Sequence, residues 1–154
     1  MKIFIATKNK NKLKELERIL IPMGFEVLSE NDLEMPLPEV EETGETYEEN
    51  ALLKAYSGLK TTGLITVADD SGLSVDYLDG APGVYSARYS GENATYDSNN
   101  QRLLAALKGV PKSERTARFV SSVACVFPDG TEFTVRGECE GYIAEKCSGN
   151  EGFG

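Results

Sequence analysis

The sequence predicts an α/β fold with a mixed, partly antiparallel central sheet flanked by helices, and with room for two lobes around a cleft. Two apolar strand candidates, Lys2–Ala6 and Leu64–Ala68, each adjoin a segment of helical periodicity, the alternation expected of an α/β domain. Later, alternating runs from Arg118 to Phe127 and from Thr131 to Gly141 flank Pro128-Asp129-Gly130, a hairpin signal that demands at least one antiparallel pair. A length of 154 residues at 40% hydrophobic content suits one globular domain over residues 1–154. Such a chain buries roughly two-thirds of its unfolded surface. No internal repeat, low-complexity stretch or convincing linker divides it.

Taken in order, the strand Lys2–Ala6 runs into Thr7-Lys8-Asn9-Lys10-Asn11-Lys12, and a helix follows with Leu13, Leu16, Ile19, Leu20 and Met23 on its apolar positions. Strand, polar turn and helix start make an anion-binding arrangement. The free N–H groups and positive dipole end of the helix face the loop, and lysines and short amides add donors suited to phosphate oxygens. The chain carries neither a glycine-rich P-loop nor a G-x-G-x-x-G fingerprint, so Walker-type and Rossmann dinucleotide readings fall away. A plainer reading makes Asn11 a helix cap followed by solvated lysines.

From Glu30 to Glu49 the chain holds nine acidic residues and no Lys or Arg, with Pro36 and Pro38 interrupting any regular element. Most of these carboxylates are expected in a solvated loop. The segment ends in Thr46-Tyr47-Glu48-Glu49, a capping box that opens a helix carrying Leu52, Leu53, Tyr56 and Leu59. Glu41, Glu42 and Glu45 therefore fall just outside a fixed helix start.

The strand Leu64–Ala68 leads into Asp69-Asp70-Ser71-Gly72, which puts two carboxylates and a hydroxyl at its expected carboxyl end, where open α/β sheets keep their chemistry. Two carboxylates about 4 Å apart at an effective dielectric near 20 repel by roughly 4 kcal/mol, so a fold that converges them supplies a cation or keeps one protonated. A divalent metal is the simpler of those outcomes. The competing reading is a strand-ending turn, which Asp, Ser and Gly all favour. A glutamate from the acidic segment can reach back to share a metal with Asp70, and hard oxygen ligands suit Mg²⁺. Glu39, Glu41 and Glu42 are each candidates for that second ligand.

Further along, Gly80-Ala81-Pro82-Gly83 reads as a rigid turn expected to place Tyr85 to Tyr89 beside the acidic site, and Ser90 to Asn93 as loop. Thr95 to Lys108 reads as a helix with Leu103, Leu104 and Leu107 on one face, stopped by Gly109 and Pro111.

A net charge of −9, from 16 basic against 25 acidic residues, disfavours unspecific binding to nucleic acid. A small anionic substrate remains acceptable if the N-terminal lysines form a local basic pocket. The chain has no histidine, so acid–base work near neutrality falls to a perturbed carboxylate, lysine or cysteine, or to metal-bound water. No apolar run approaches the ~20 residues of a membrane helix, and nothing suggests export. Cys125, Cys139 and Cys147 lack C-x-x-C spacing and are expected to be reduced, in keeping with a cytoplasmic protein.

Four ordered blocks resemble the inosine/xanthosine triphosphate pyrophosphatases. Ala6 through Lys12 is similar to that family's A-T-x-N-x-x-K phosphate loop, and Glu41 through Ala51 with Lys54-Ala55 to its E-E-T-G-x-T-F-x-E-N-A-x-x-K-A stretch. Ala68-Asp69-Asp70-Ser71-Gly72-Leu73 matches its A-D-D-S-G-L, and Ala81 through Tyr89 completes the set. The resemblance implies Mg²⁺-dependent hydrolysis of a nucleoside triphosphate (ITP, dITP, XTP) to the monophosphate and pyrophosphate, and a homodimer. It implies Asp70 as general base and metal ligand, Glu42 as second ligand, and Ser71 as a substrate contact. It further implies that Thr7, Lys8, Asn9, Lys10, Asn11 and Lys12 hold the triphosphate, with Lys12, Lys54 and Arg88 as cations around it.

Cys147 to Gly154 resembles the start of the family's G-x-G-G-F-G-Y-D block, with Glu151 where glycine is usual and the following Tyr-Asp not reached. By that likeness Phe153 and Gly154 belong to substrate binding, Phe153 stacking on a purine, and the C-terminal part of the family domain is absent. Two other readings compete: a nucleotide sensor without turnover, motivated by the lost base-recognition block, and a phosphoacceptor domain, motivated by Asp69 and Asp70 near lysines.

Overall fold

The computed structural model describes residues 1–149. In chain order it contains strand β1 (Lys2–Ile5), helix α1 (Lys10–Leu20), β2 (Glu26–Leu28), α2 (Tyr47–Thr62), β3 (Ile65–Val75), α3 (Tyr96–Ala106), β4 (Thr116–Val126) and β5 (Glu132–Tyr142), with short 3₁₀ turns between. The strands form one sheet in the order β2-β1-β3-β4-β5. β1 pairs in parallel with both β2 and β3. β4 and β5 are neighbours joined by a tight turn in which the Phe127 N–H donates to the Thr131 carbonyl at 2.8 Å. A connection this short joins only antiparallel strands, so the sheet is mixed as predicted.

The chain gathers into two compact units, residues 1–70 with 122–136, and residues 71–121 with 137 onward. In the first, the sheet is covered on both faces. Ile3, Val67 and Cys125 pack with Leu16 and Leu20 of α1, while Phe4, Ala6, Ala68, Ala124 and Val126 pack with Ala51 and Ala55 of α2. This division follows from strand alternation, which sends successive side chains to opposite faces. The second unit centres on Val75, Leu103, Leu107, Val110 and Ala117, so the Leu103/Leu107 face predicted for α3 is the one that is buried.

Three expectations need correction, and one strand lies outside them. β3 does not end at Ala68; it continues through Asp69-Asp70-Ser71-Gly72 to Val75. Leu73 and Val75 pack into the second unit's core, and tertiary burial of this kind overrides the turn preference of Asp, Ser and Gly. The α1 cap is Asn9 rather than Asn11, and the helix ends at Leu20, leaving Met23 exposed. The buried face of α2 is made of Tyr47, Asn50, Ala51, Ala55 and Gly58, while Leu53 and Tyr56 are exposed. Helix and sheet lie too close for larger groups there: a Cβ on Gly58 would sit 2.7 Å from Thr66 Cγ2. The strand outside them is β2, at three residues too short to announce itself by periodicity.

Candidate functional site

The predicted phosphate loop begins where β1 ends. Ala6 donates its N–H to the Val67 carbonyl at 2.8 Å, which carries the β1–β3 pairing to the residue before Thr7 and sets the start of the loop beside the middle of β3, close in sequence to Asp69. Thr7 Oγ1 accepts from the Asn9 N–H at 3.2 Å, and Asn9 Oδ1 accepts from the N–H groups of Asn11 (3.0 Å) and Lys12 (3.4 Å). The oxygen of Asn9 thus caps the helix, and its amide nitrogen is the part left for an anion. Lys8, Lys10 and Asn11 are exposed around this turn.

Asp69 and Asp70 are both buried, yet they do not converge. As successive residues of one strand they point to opposite faces of the sheet, and each meets a lysine from the helix covering that face. Lys12 of α1 approaches Asp69 Oδ2 at 2.7 Å, and Lys54 of α2 approaches Asp70 Oδ1 at 3.1 Å. The expected repulsion between two adjacent carboxylates is avoided by geometry. Each acid keeps one buried oxygen, Asp69 Oδ1 and Asp70 Oδ2, with no hydrogen-bond partner among the described residues. Burial raises the Asp70 carboxyl above its ordinary value; Lys54 pulls it down, and the nearby negative charge of Glu42 pushes it up again.

The acidic segment supplies the second carboxylate on this face. Lys54 Nζ also contacts Glu42 Oε1 at 3.3 Å, so Glu42 and Asp70 converge on one ammonium. Glu39 and Glu41 are exposed, and Glu42 is the member of the three that reaches Asp70's lysine. The predicted capping box is present: Thr46 Oγ1 accepts from the Glu49 N–H at 3.2 Å, and Glu49 Oε2 accepts from the N–H groups of Thr46 (3.3 Å) and Glu45 (2.7 Å). It fixes the start of α2 directly after Glu42's loop.

Among the described residues no three His, Cys, Asp or Glu side chains gather into a ready-made metal cage. A pair of carboxylates converging on a single positive charge, one of them with a bare buried oxygen, nevertheless fits a hard cation that fills its other positions with water and phosphate oxygens, as Mg²⁺ does. Of the remaining predicted residues, Ser71 and Arg88 belong to the second unit, where the Arg88 guanidinium stacks 5.1 Å above the Tyr85 ring. Phe153 and Gly154 lie outside the described residues. The reading of the sequence passed over Asn50, a fully buried amide bonded to the loop at Gly44. Its signal was present, because an amide one helical turn before Lys54 must face the same way.

The profile of the Ham1 family matches residues 3–154. The chain is 51% identical to a dITP/XTP pyrophosphatase of Bacillus licheniformis over 152 residues, covering 99% of this chain and 77% of that one. It is likewise 51% identical to a dITP/XTP pyrophosphatase of Geobacter sulfurreducens, covering 99% and 76%. The fold superposes on a dITP/XTP pyrophosphatase structure from Mycobacterium abscessus with a TM-score of 0.85 at 48% identity, covering all of this chain and 80% of the other. The Staphylococcus aureus Ham1 protein gives a TM-score of 0.87 at 38% identity, covering 100% and 78%.

Proposed function

The chain belongs to the Ham1 family, and from that membership and the charged groups around β3 we propose how it acts. It hydrolyses nucleoside triphosphates of the inosine and xanthosine type (ITP, dITP, XTP), adding water across the α,β-anhydride to give the monophosphate and pyrophosphate. Relatives at about half identity along nearly all of the chain are named for this activity, which disfavours a sensor without turnover. The observation that carries the mechanism is the convergence of Glu42 and Asp70 on Lys54, with Asp70 Oδ2 buried and bare.

In this reading Glu42 and Asp70 hold Mg²⁺, which when bound neutralises phosphate charge and polarises the groups it coordinates. Asp70 accepts the proton of the attacking water at Oδ2, the carboxylate oxygen left without a partner among the described residues. Lys54 holds both carboxylates in place. Lys8, Lys10, Lys12, Asn11 and the amide of Asn9 grip the triphosphate at the start of α1, where N–H groups and dipole favour negative charge. Ser71, Arg88, Phe153 and Gly154 are assigned to substrate by family likeness. Positioning and charge neutralisation dominate reactions at phosphorus, so an active site without histidine or a covalent nucleophile suffices.

The family match supports reading residues 1–154 as one nucleotide-pyrophosphatase domain. Among the described residues no helix is long and apolar enough to cross a membrane, and the three cysteines are free thiols. A cytoplasmic location is compatible with these features, and a homodimer acting on free nucleotides is assigned by family likeness. The test is product analysis with ITP and Mg²⁺: pyrophosphate and inosine monophosphate are expected in equal amounts, and release of orthophosphate alone would refute the assignment.

A further inference from the structure

The side chain of Asn50 is fully buried in the first unit and joined to the loop that carries Glu42. Its Oδ1 accepts from the Gly44 N–H at 2.8 Å, and its Nδ2 donates to the Gly44 carbonyl at 3.4 Å. An amide thus reads one loop residue through both of its backbone groups. Gly44 admits no side chain there, because a Cβ would lie 2.6 Å from Asn50 Oδ1 and 2.8 Å from Glu49 Cβ. Asn50 is one helical turn before Lys54, so α2 grips the loop twice from one face. Asn50 takes its backbone at Gly44, and Lys54 takes its carboxylate at Glu42.

We propose that Asn50 is a positioning residue, whose clip on Gly44 holds Glu42 in the place where it and Asp70 address the same cation. The capping box alone leaves this undone, since it ties residues 45, 46 and 49 and stops short of Gly44. Glu42 lies in irregular chain with Lys54 as its side-chain anchor, and that anchor is shared with Asp70. Lys54 is divided between two carboxylates, and the Gly44 clip is a hold on the Glu42 loop that does not draw on that lysine. This inference rests on Glu42 and Asp70 being the metal pair.

The experiment pairs Mn²⁺ binding, followed by the paramagnetic resonance of free Mn²⁺, with hydrogen exchange in the metal-free protein. Asn50→Ala is expected to speed exchange across residues 41–45 while the strands stay protected, and to weaken Mn²⁺ binding by about tenfold or more, the usual cost of losing a group that supports a ligand. In the Glu42→Gln background the same substitution is expected to weaken Mn²⁺ binding little further, because the residue to be positioned is already gone. Equal losses in both backgrounds, or unchanged exchange over 41–45, would overturn the proposal. Should Asn50→Ala fail to fold, Gly44→Ala breaks the clip from the loop side and must give the same pattern. A native protein that binds no Mn²⁺ at all would overturn the metal reading itself, and the exchange rates would still decide whether Asn50 holds the loop.

Discussion

The two units bury positive charge in opposite ways. In the second, Arg115 is 4% exposed and its guanidinium is met by backbone carbonyls: Leu107 at 2.6 Å, Val110 at 3.4 Å, Ile143 at 2.8 Å and Ala144 at 2.9 Å. In the first, Lys12 and Lys54 face carboxylates, and each acid retains a buried oxygen with no partner. With four of its five N–H groups on carbonyls, the arginine ties the end of α3 to the segment after β5. The unsaturated pairs keep acceptors in reserve, at a cost in stability that a structural role does not explain. Satisfaction of hydrogen bonds therefore distinguishes Arg115, which ties elements together, from the acids proposed to act.

The sharpest way to break this contrast is to neutralise one group of each kind. Asp70→Asn is expected to lower pyrophosphate release from ITP by about 10³-fold, the range for loss of a general base. The same variant should unfold no earlier than the native protein in thermal melts, because a desolvated charge has been removed. Retention of near-native turnover would sink the assignment of Asp70. Arg115→Met should behave in the reverse manner and destabilise by about 3 kcal/mol in urea titration, since several buried carbonyls lose their donor at once. An unshifted urea midpoint would show that Arg115 is not the tie described.

Acidity sharpens the comparison further. The folded protein holds the Asp70 carboxyl above its ordinary 3.8, so protonating it favours the folded state. That contribution is fully present below the ordinary value and is lost as the pH rises through the folded one. In the metal-free protein, the stability advantage of Asp70→Asn should be greatest near neutrality and shrink as the pH falls toward about 4. An advantage that grew on acidification would reverse the sign of the burial effect. The smallest effect concerns thiols: Cys139 and Cys147, exposed in the second unit, should react with an alkylating reagent in the native protein. Cys125, buried with its thiol pushed up by desolvation, should react only on unfolding.

Much of the site was legible because its signals are local. The capping box at Thr46 and Glu49 and the strand-turn-helix at Thr7 to Lys12 depend on neighbours within a few residues, and both are found where the sequence places them. The end of β3 was misjudged because Asp-Asp-Ser-Gly has turn chemistry in isolation; its place in the sheet is decided by Leu73 and Val75 burying in a core assembled largely from residues beyond position 100. Likewise Leu53 and Tyr56 look like a buried helix face, but the face that is buried narrows to Ala51, Ala55 and Gly58, where helix and sheet approach too closely for larger groups. Of three adjacent glutamate candidates, the choice of Glu42 required the position of Lys54 in space.

A carboxylate in mid-strand is addressed by parity. Whether it looks toward α1 or α2 depends on whether its count along β3 is odd or even, so one inserted residue between Ile65 and Ala68 would turn Asp69 and Asp70 each to the other face, whereas two would return them to their faces one repeat further along. Loops elsewhere in the molecule can drift in length; in this stretch an odd step also turns the acids to the wrong helix.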